Sequence, residues 1–241
     1  MRIIDHSCKS PGENLALEEV LLDAVEQGHQ PDTLRFWESP SPFVVLGTGQ
    51  VLAQEVHEDH CTEDGVPIMR RCTAGGCVLQ GPGSLNYALF LRYENVPEVA
   101  TLHGSYRHII GAVCAALGTL GISAAHEGIS DIAIAGRKIS GNAQRRRRRA
   151  LLHHGTLLYQ ADMNAMSRYL REPDDRPEYR ATRRHDEFLT VLDATPDALR
   201  DALGDALAPK GFQDTCTEEE LRATHQLASE KYDRREWIYR R

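Results

Sequence analysis

The sequence predicts an α+β fold, with a mixed or antiparallel central sheet flanked by helices. Three observations predict it. Short apolar segments of alternating character dominate roughly the first two-thirds of the chain. Helical periodicities and capping signals fall between them, and after Tyr159 the signals turn helical.

Taken in order, Ser10-Pro11-Gly12-Glu13 joins a capping box to a proline at the first helical position and opens a helix through about Glu26. Thr33–Glu38 and Phe43–Leu46 read as strands separated by the proline-rich Ser39–Pro42, and Glu55–Glu63 reads as a helix. Strands Val66–Arg71 and Leu85–Arg92 flank a glycine-rich loop. Ile109, Ile110, Val113 and Leu117 recur at helical spacing within Ala100–Leu120, which ends near Gly118 or Gly121. Ile129–Tyr159 reads as two strands with a highly charged connection: Ile132, Ile134 and Ile139 mark the first, and Leu151, Leu152, Leu157 and Leu158 the second. Helices follow at about Met163–Leu170, from Thr195-Pro196, and from a second capping box, Thr217–Glu220.

A chain of 241 residues suits one large domain, or one with a small appendage. Its net charge of -7 gives no overall reason to expect nucleic-acid binding, although Arg145–Arg149 is an unbroken arginine run. No apolar run approaches the roughly 20 residues needed to span a bilayer. The N-terminus lacks the apolar core of a signal peptide, so a cytoplasmic protein is expected. The six cysteines are scattered without a CxxC pair and are expected as reduced thiols, with neither a disulfide framework nor a zinc site built from them.

Two stretches carry candidate chemistry. Lys138 lies in a predicted strand between Gly136 and Gly141, where a firmly held backbone can aim an ammonium. An edge-strand lysine that discourages aggregation is the plainer reading. In Arg70–Tyr87, the residues Gly75, Gly76, Gly81 and Gly83, with Thr73 and Pro82, describe a loop able to turn N–H groups toward an anion or a carbonyl. Its spacing matches neither a Walker A motif nor a strand–GxGxxG–helix unit.

The combination of RRCTAGGCVLQGPGSLNY, SDIAIAGRKISGNAQ and LLHHGTLLY resembles the lipoate–protein ligase A and octanoyltransferase family, of the biotin/lipoate protein ligase catalytic-domain superfamily. Leu46–Gln50 and the closing Glu220–Trp237 extend the resemblance through most of the chain. It implies a class II synthetase-like catalytic fold and a single catalytic domain over residues 1–241, without a C-terminal accessory domain. A separate small protein then supplies that domain, or the chain performs part of the reaction. It implies an enzyme that uses ATP and Mg2+ to convert lipoate or octanoate into an acyl-adenylate. The acyl group then passes to a lysine of a lipoyl-domain acceptor with an acidic surface.

The resemblance makes Lys138 the catalytic cation and Asp131, Ser140, Gly141 and Ala143 its neighbours at the nucleotide. Asp131 is also the candidate for magnesium, with a strand-start turn residue as the alternative. The loop Thr73–Gly83 is expected to close over the acyl group through Thr73, Gly75, Gly76, Cys77, Val78 and Gln80. Trp37, Arg71 and His154 are expected to line the pocket; a core tryptophan, a solvated arginine and a structural histidine are the alternatives. The chain departs from the family pattern at Thr73-Ala74-Gly75-Gly76 for Ser-Gly-Gly-Gly, at Leu79-Gln80-Gly81 for Tyr-His-Asp, and at Val51 for asparagine. These departures surround the acyl donor.

Octanoyltransferases of the superfamily carry the acyl group on a cysteine instead of using ATP. Gly121–Ile129 and Gln160–Leu192, where the resemblance would place it, hold none, which leaves Cys77 as a thiol or a small packing residue. A third reading is non-catalytic: Arg145–Arg149 with Arg180, Arg183 and Arg184 form a basic surface for an acidic protein or, less favoured, RNA.

Overall fold

Two sheets organise the chain in a computed structural model that describes residues 1–174 and 176–241. In chain order the elements are β1 (Arg2–Asp5), α1 (Pro11–Glu26), β2 (Thr33–Trp37), β3 (Phe43–Leu46), α2 (Leu52–Glu55), α3 (Glu58–Glu63), β4 (Ile68–Arg70), β5 (Val78–Gln80) and β6 (Ser84–Arg92). Then come α4 (Leu102–Thr119), β7 (Ala125–Glu127), β8 (Asp131–Ile134), β9 (Arg137–Arg146), β10 (Ala150–Leu158), α5 (Met163–Tyr169), α6 (His185–Phe188), α7 (Pro196–Leu207), β11 (Phe212–Asp214), α8 (Glu218–Leu227) and α9 (Arg235–Ile238). The larger sheet has eight strands in the order β11-β1-β2-β6-β10-β9-β8-β7, and the smaller runs β4-β3-β5. Strand β1 lies parallel to β2 and β11, while β2 through β7 pair antiparallel, so the sheet is mixed.

Alternation along the strands supplies apolar side chains to both faces of the larger sheet. Leu85, Leu89, Leu151 and Leu157 pack against Ile109, Ile110 and Val113 of α4 and Leu199 and Leu203 of α7. On the opposite face Ala88, Phe90 and Leu152 meet Leu17, Leu21 and Leu22 of α1, together with Ala228, Tyr232 and Ile238. Each fully buried leucine contributes about 1.5–3 kcal/mol. A third cluster ties the small sheet to α5 through Val44, Leu46, Leu79, Met166 and Tyr169. The capping box of α1 forms as read, with Glu13 N donating to Ser10 Oγ at 3.1 Å and Ser10 N donating to Glu13 Oε2 at 3.4 Å.

Three expectations change. Ile129–Tyr159 contains three strands, because Ala135 (φ 48°) and Gly136 (φ 74°) form a two-residue turn between β8 and β9. Positive φ at both central residues matches the twist of a tight hairpin. The expected helix Glu55–Glu63 is split into α2 and α3, since Val56 is extended (φ -128°, ψ 140°) and pairs with Leu170. The first three arginines of the run are half-buried and paired within the fold. Arg145 reaches Glu19 (3.4 Å), Arg147 reaches Asp23 (2.8 Å), and Arg146 donates to the Val99 and Ala100 carbonyls while lying over Tyr93. Arg180 is buried over Phe188, and Arg183 donates to the Gly136 carbonyl. Arg148, Arg149 and Arg184 remain exposed.

Candidate active site

A β-bulge aims Lys138. Asp131 pairs with Gly141 and Ile132 with Ser140, but Ala133 pairs with Lys138, leaving Ile139 as the extra residue. Strict alternation from Ala143 through Gly141 would set Ile139 on their face and Lys138 on the other. The bulge reverses this: Ile139 joins the α4 core, fully buried, and Lys138 turns to the α1 face. Its side chain folds back over Gly141, where an added Cβ would sit 3.0 Å from Nζ. Lys138 Nζ lies 2.8 Å from Asp131 Oδ1, and Asp131 Oδ2 accepts from the Tyr179 hydroxyl at 2.8 Å. Burial, reinforced by the Asp131 charge, raises the Tyr179 pKa far above its ordinary value, so this hydroxyl stays a donor. With 26% of its side chain exposed, Lys138 is both fixed and reachable.

The glycine loop is pegged by Arg71. This buried guanidinium donates to Thr73 Oγ1 (2.8 Å), to the Ala74 and Gly76 carbonyls (2.8 and 2.9 Å) and to the Val45 carbonyl (3.3 Å). Gly75 takes φ 95°, and a Cβ there would meet Arg71 Nη2 at 3.0 Å and Ala143 Cβ at 3.7 Å, so the loop crosses β9 beside Gly141. The segment Leu46–Gln50 packs backbone to backbone on it: Thr48 N donates to the Thr73 carbonyl at 2.8 Å, and a Cβ on Gly47 would collide with the Gly75 carbonyl. Glycine at both positions is therefore a requirement of close approach.

A polar relay continues along this face. His154, paired with Ala143 on the neighbouring strand, sets Nε2 2.9 Å from Thr73 Oγ1 and Nδ1 2.7 Å from Glu18 Oε2. A carboxylate only accepts, so Nδ1 carries the proton and the ring is held facing Thr73. Trp37 Nε1 donates to the other Glu18 oxygen at 3.1 Å. Burial would raise the Glu18 pKa, but the charge and hydrogen bond of His154, followed by Arg35 and Trp37, outweigh it and hold the carboxyl below its ordinary range. Trp37 and Arg71 are thus buried yet part of the site. Glu18 went unread in the sequence, as did Tyr179. The available signal was a pair of charges, Glu18-Glu19, inside the otherwise apolar Leu15–Leu22 of α1.

Not every candidate joins them. Ser140 is fully buried on the opposite face toward Tyr87 and Asn142, because the bulge moves Lys138 and leaves Ser140 with the core. Gln80 is closed in a mutual amide pair with Asn86 (2.8 and 2.9 Å) and donates to Thr156, so it braces β5 and β6 from below. Val78 is half-buried on β5 against the α1 cluster. The Cys77 thiol is pushed up to about 12 by burial. Burial also raises Cys61, Cys72 and Cys216 to about 11, and lifts Cys8 and Cys114. Both Asp131 oxygens have partners, Lys138 and the Tyr179 hydroxyl, so a magnesium ion at Asp131 would have to share them.

A cation presented from a mixed sheet, on the same face as a glycine loop held by buried polar contacts, suits an enzyme that stabilises negative charge developing on a substrate oxygen. The chain belongs to the family described as the lipoyl protein ligase A/B catalytic domain, whose pattern matches residues 10–214. The octanoyltransferase LipM of Carboxydothermus hydrogenoformans is 29% identical, across 99% of this chain and 98% of its own length. The bi-partite lipoate protein ligase of Thermoplasma acidophilum, described together with its E2 lipoyl domain, superposes with a TM-score of 0.85 at 25% identity over 99% of this chain and 95% of that one. A lipoate-protein ligase A bound with ATP gives 0.85 at 25% identity over 99% and 98%. The family and the α+β fold expected from the motifs are borne out.

Proposed function

We propose that this enzyme is an ATP-dependent lipoate–protein ligase that accepts lipoate or octanoate and modifies a lysine of a lipoyl domain. The observation that supports it is Lys138, held 2.8 Å from Asp131 and folded over Gly141, on the face of β9 where Ala143 meets Gly75 of the glycine loop. A carboxylate oxygen must attack the α-phosphorus of ATP, forming the acyl-adenylate and releasing pyrophosphate, and both reactants are anions. At about 4 Å and an effective dielectric near 20, each like-charge pair costs about 4 kcal/mol. The Lys138 ammonium offsets this as charge grows in the transition state. The acceptor amine then attacks the acyl carbon and AMP departs. Burying about eight acyl carbons contributes about 6 kcal/mol toward holding a medium-length chain under the loop.

The likeness to an octanoyltransferase favours a second reading, in which a cysteine carries the acyl group. Thiols that burial raises to about 11 or 12 are poor nucleophiles at neutral pH, which supports the ATP-dependent reading. The bi-partite arrangement of the T. acidophilum ligase supports a single catalytic domain here with a separate accessory protein, and its lipoyl domain supports that class of acceptor. Of the arginines expected to form a basic surface, Arg148, Arg149 and Arg184 are exposed and available to an acidic acceptor. Magnesium bound with ATP and a cytoplasmic location belong to the same proposal; among the described residues no helix is long and apolar enough to cross a membrane. The test is acylation of a lipoyl domain with a panel of acids. Modification that requires ATP and favours lipoate or octanoate is expected; modification from an acyl thioester without ATP would overturn the reading.

A further inference from the structure

The junction of α2, α3 and α5 holds a cluster that the acyl chemistry does not use. His57, Asp59 and His60 bring one ligand atom each to within 4.8 Å of one another, and all three lie at or near the surface. The two imidazole rings are 5.3 Å apart, inclined by 33°. A tetrahedral shell with metal–nitrogen bonds of about 2.0–2.1 Å sets its donors about 3.4 Å apart, so rotation of exposed side chains suffices to close the set.

The surroundings orient the His60 ring and anchor the His57 backbone. His60 Nδ1 lies 2.9 Å from the Arg168 carbonyl, an acceptor only, so Nδ1 carries the proton and Nε2 presents its lone pair outward. Arg168 is itself fixed by Glu63 and Asp64. His57 is tied by its backbone N–H to the Tyr169 carbonyl at 2.9 Å. A histidine whose second nitrogen is bonded to a carbonyl is the arrangement that metal-ligating imidazoles need. Asp59 and neighbouring Glu58 supply negative charge, and Arg171 is tied back through Nε to the Val56 carbonyl.

We propose that His57, Asp59 and His60 form a binding site for one divalent transition-metal ion of the zinc class. Two imidazoles and one carboxylate suit zinc, cobalt or nickel, whereas magnesium and calcium prefer oxygen donors throughout. Three protein ligands leave a coordination position for water. Through the Arg168 and Tyr169 carbonyls, the ion would fasten the chain between Leu46–Gln50 and α3 against α5. The site stands independently of the proposed ligase activity.

The test is titration of the untagged chain with Co2+ and Zn2+, followed by calorimetry and by the cobalt absorption spectrum. One ion per chain is expected, with a spectrum lacking the thiolate charge-transfer band that cysteine ligation would give. His57→Ala and His60→Ala are each expected to weaken binding at least about tenfold, and Asp59→Asn to weaken it less, while His103→Ala on exposed α4 leaves it unchanged. Because these side chains are at the surface, circular dichroism should show each variant folded. Unchanged affinity in the double variant His57→Ala/His60→Ala, or a thiolate band, would overturn the proposal.

Discussion

His153 and His154 are neighbours in sequence on β10, yet they face opposite sides of the larger sheet and live in different chemistry. His153 is fully buried, with Gln144 Nε2 donating to its Nδ1 at 2.9 Å, its Nε2 on Asn142 Oδ1 at 3.2 Å, and Tyr106 edge-on at 5.5 Å. Burial holds it neutral, down to about 3. Asn142 Oδ1 also accepts the Tyr87 hydroxyl, and this closed cluster presses on Gly155, where a Cβ would collide with both. His154 instead links buried Glu18 to Thr73 of the glycine loop, on the same face as Lys138. One face uses its polar groups to seal a core, and the other uses them to hold a loop on the face that carries Lys138. Strand alternation alone separates the two roles, and the bulge at Ile139 is what puts Lys138 with the second.

Four substitutions sharpen or break this contrast. Lys138→Ala should lower acyl transfer by about 10³-fold or more, with some loss of stability because Asp131 loses its cation; steady-state kinetics with calorimetry would show both. Glu18→Gln should cost about 100-fold in kcat/KM by releasing His154 and the loop. Its stability cost has a definite sign with pH. The folded carboxyl is depressed, so its contribution is present above the ordinary value near 4.5 and disappears as pH falls through the folded one. The gap between wild type and variant in denaturant titrations should therefore close in acid.

On the opposite face the effect should fall on stability rather than rate. Between about 6.5 and about 3 the unfolded chain binds a proton at His153 that the folded chain does not, so stability should fall by about 1 kcal/mol for each pH unit of acidification in this window. His153→Gln should remove that component of the slope and leave acyl transfer nearly intact. The smallest effect is expected of Cys77→Ala, whose acyl transfer should stay within about twofold of wild type, because a thiol raised to about 12 is a packing group. A large loss there would collapse the contrast by making the loop itself the acyl carrier.

Much of this was legible in the residues. The capping box of α1, the long helix α4 and the glycine loop as a unit follow from local rules, whereas Lys138 read locally as either an aimed cation or an edge-strand lysine. The turn at Ala135-Gly136 was hidden because alanine at positive φ carries no signature and the isoleucines continue across it. The bulge that sends Ser140 to the core and Lys138 to the site depends on pairing between β8 and β9, which no single strand encodes. Glu18 and Tyr179 reach the site from distant sequence. The arginine run looked like a surface because its partners, Glu19 and Asp23, lie on the far side of the chain's length, on α1.

In the ligase proposed above, one lysine on a bulged strand lets a carboxylate and ATP react. Exchange of labelled pyrophosphate into ATP, driven by lipoate, reads that step without any acceptor. The account predicts exchange by the wild-type chain and by Cys77→Ala, and its loss in Lys138→Ala. Absence of exchange from the wild-type chain, with the acyl group recovered as a thioester on a cysteine, would contradict it.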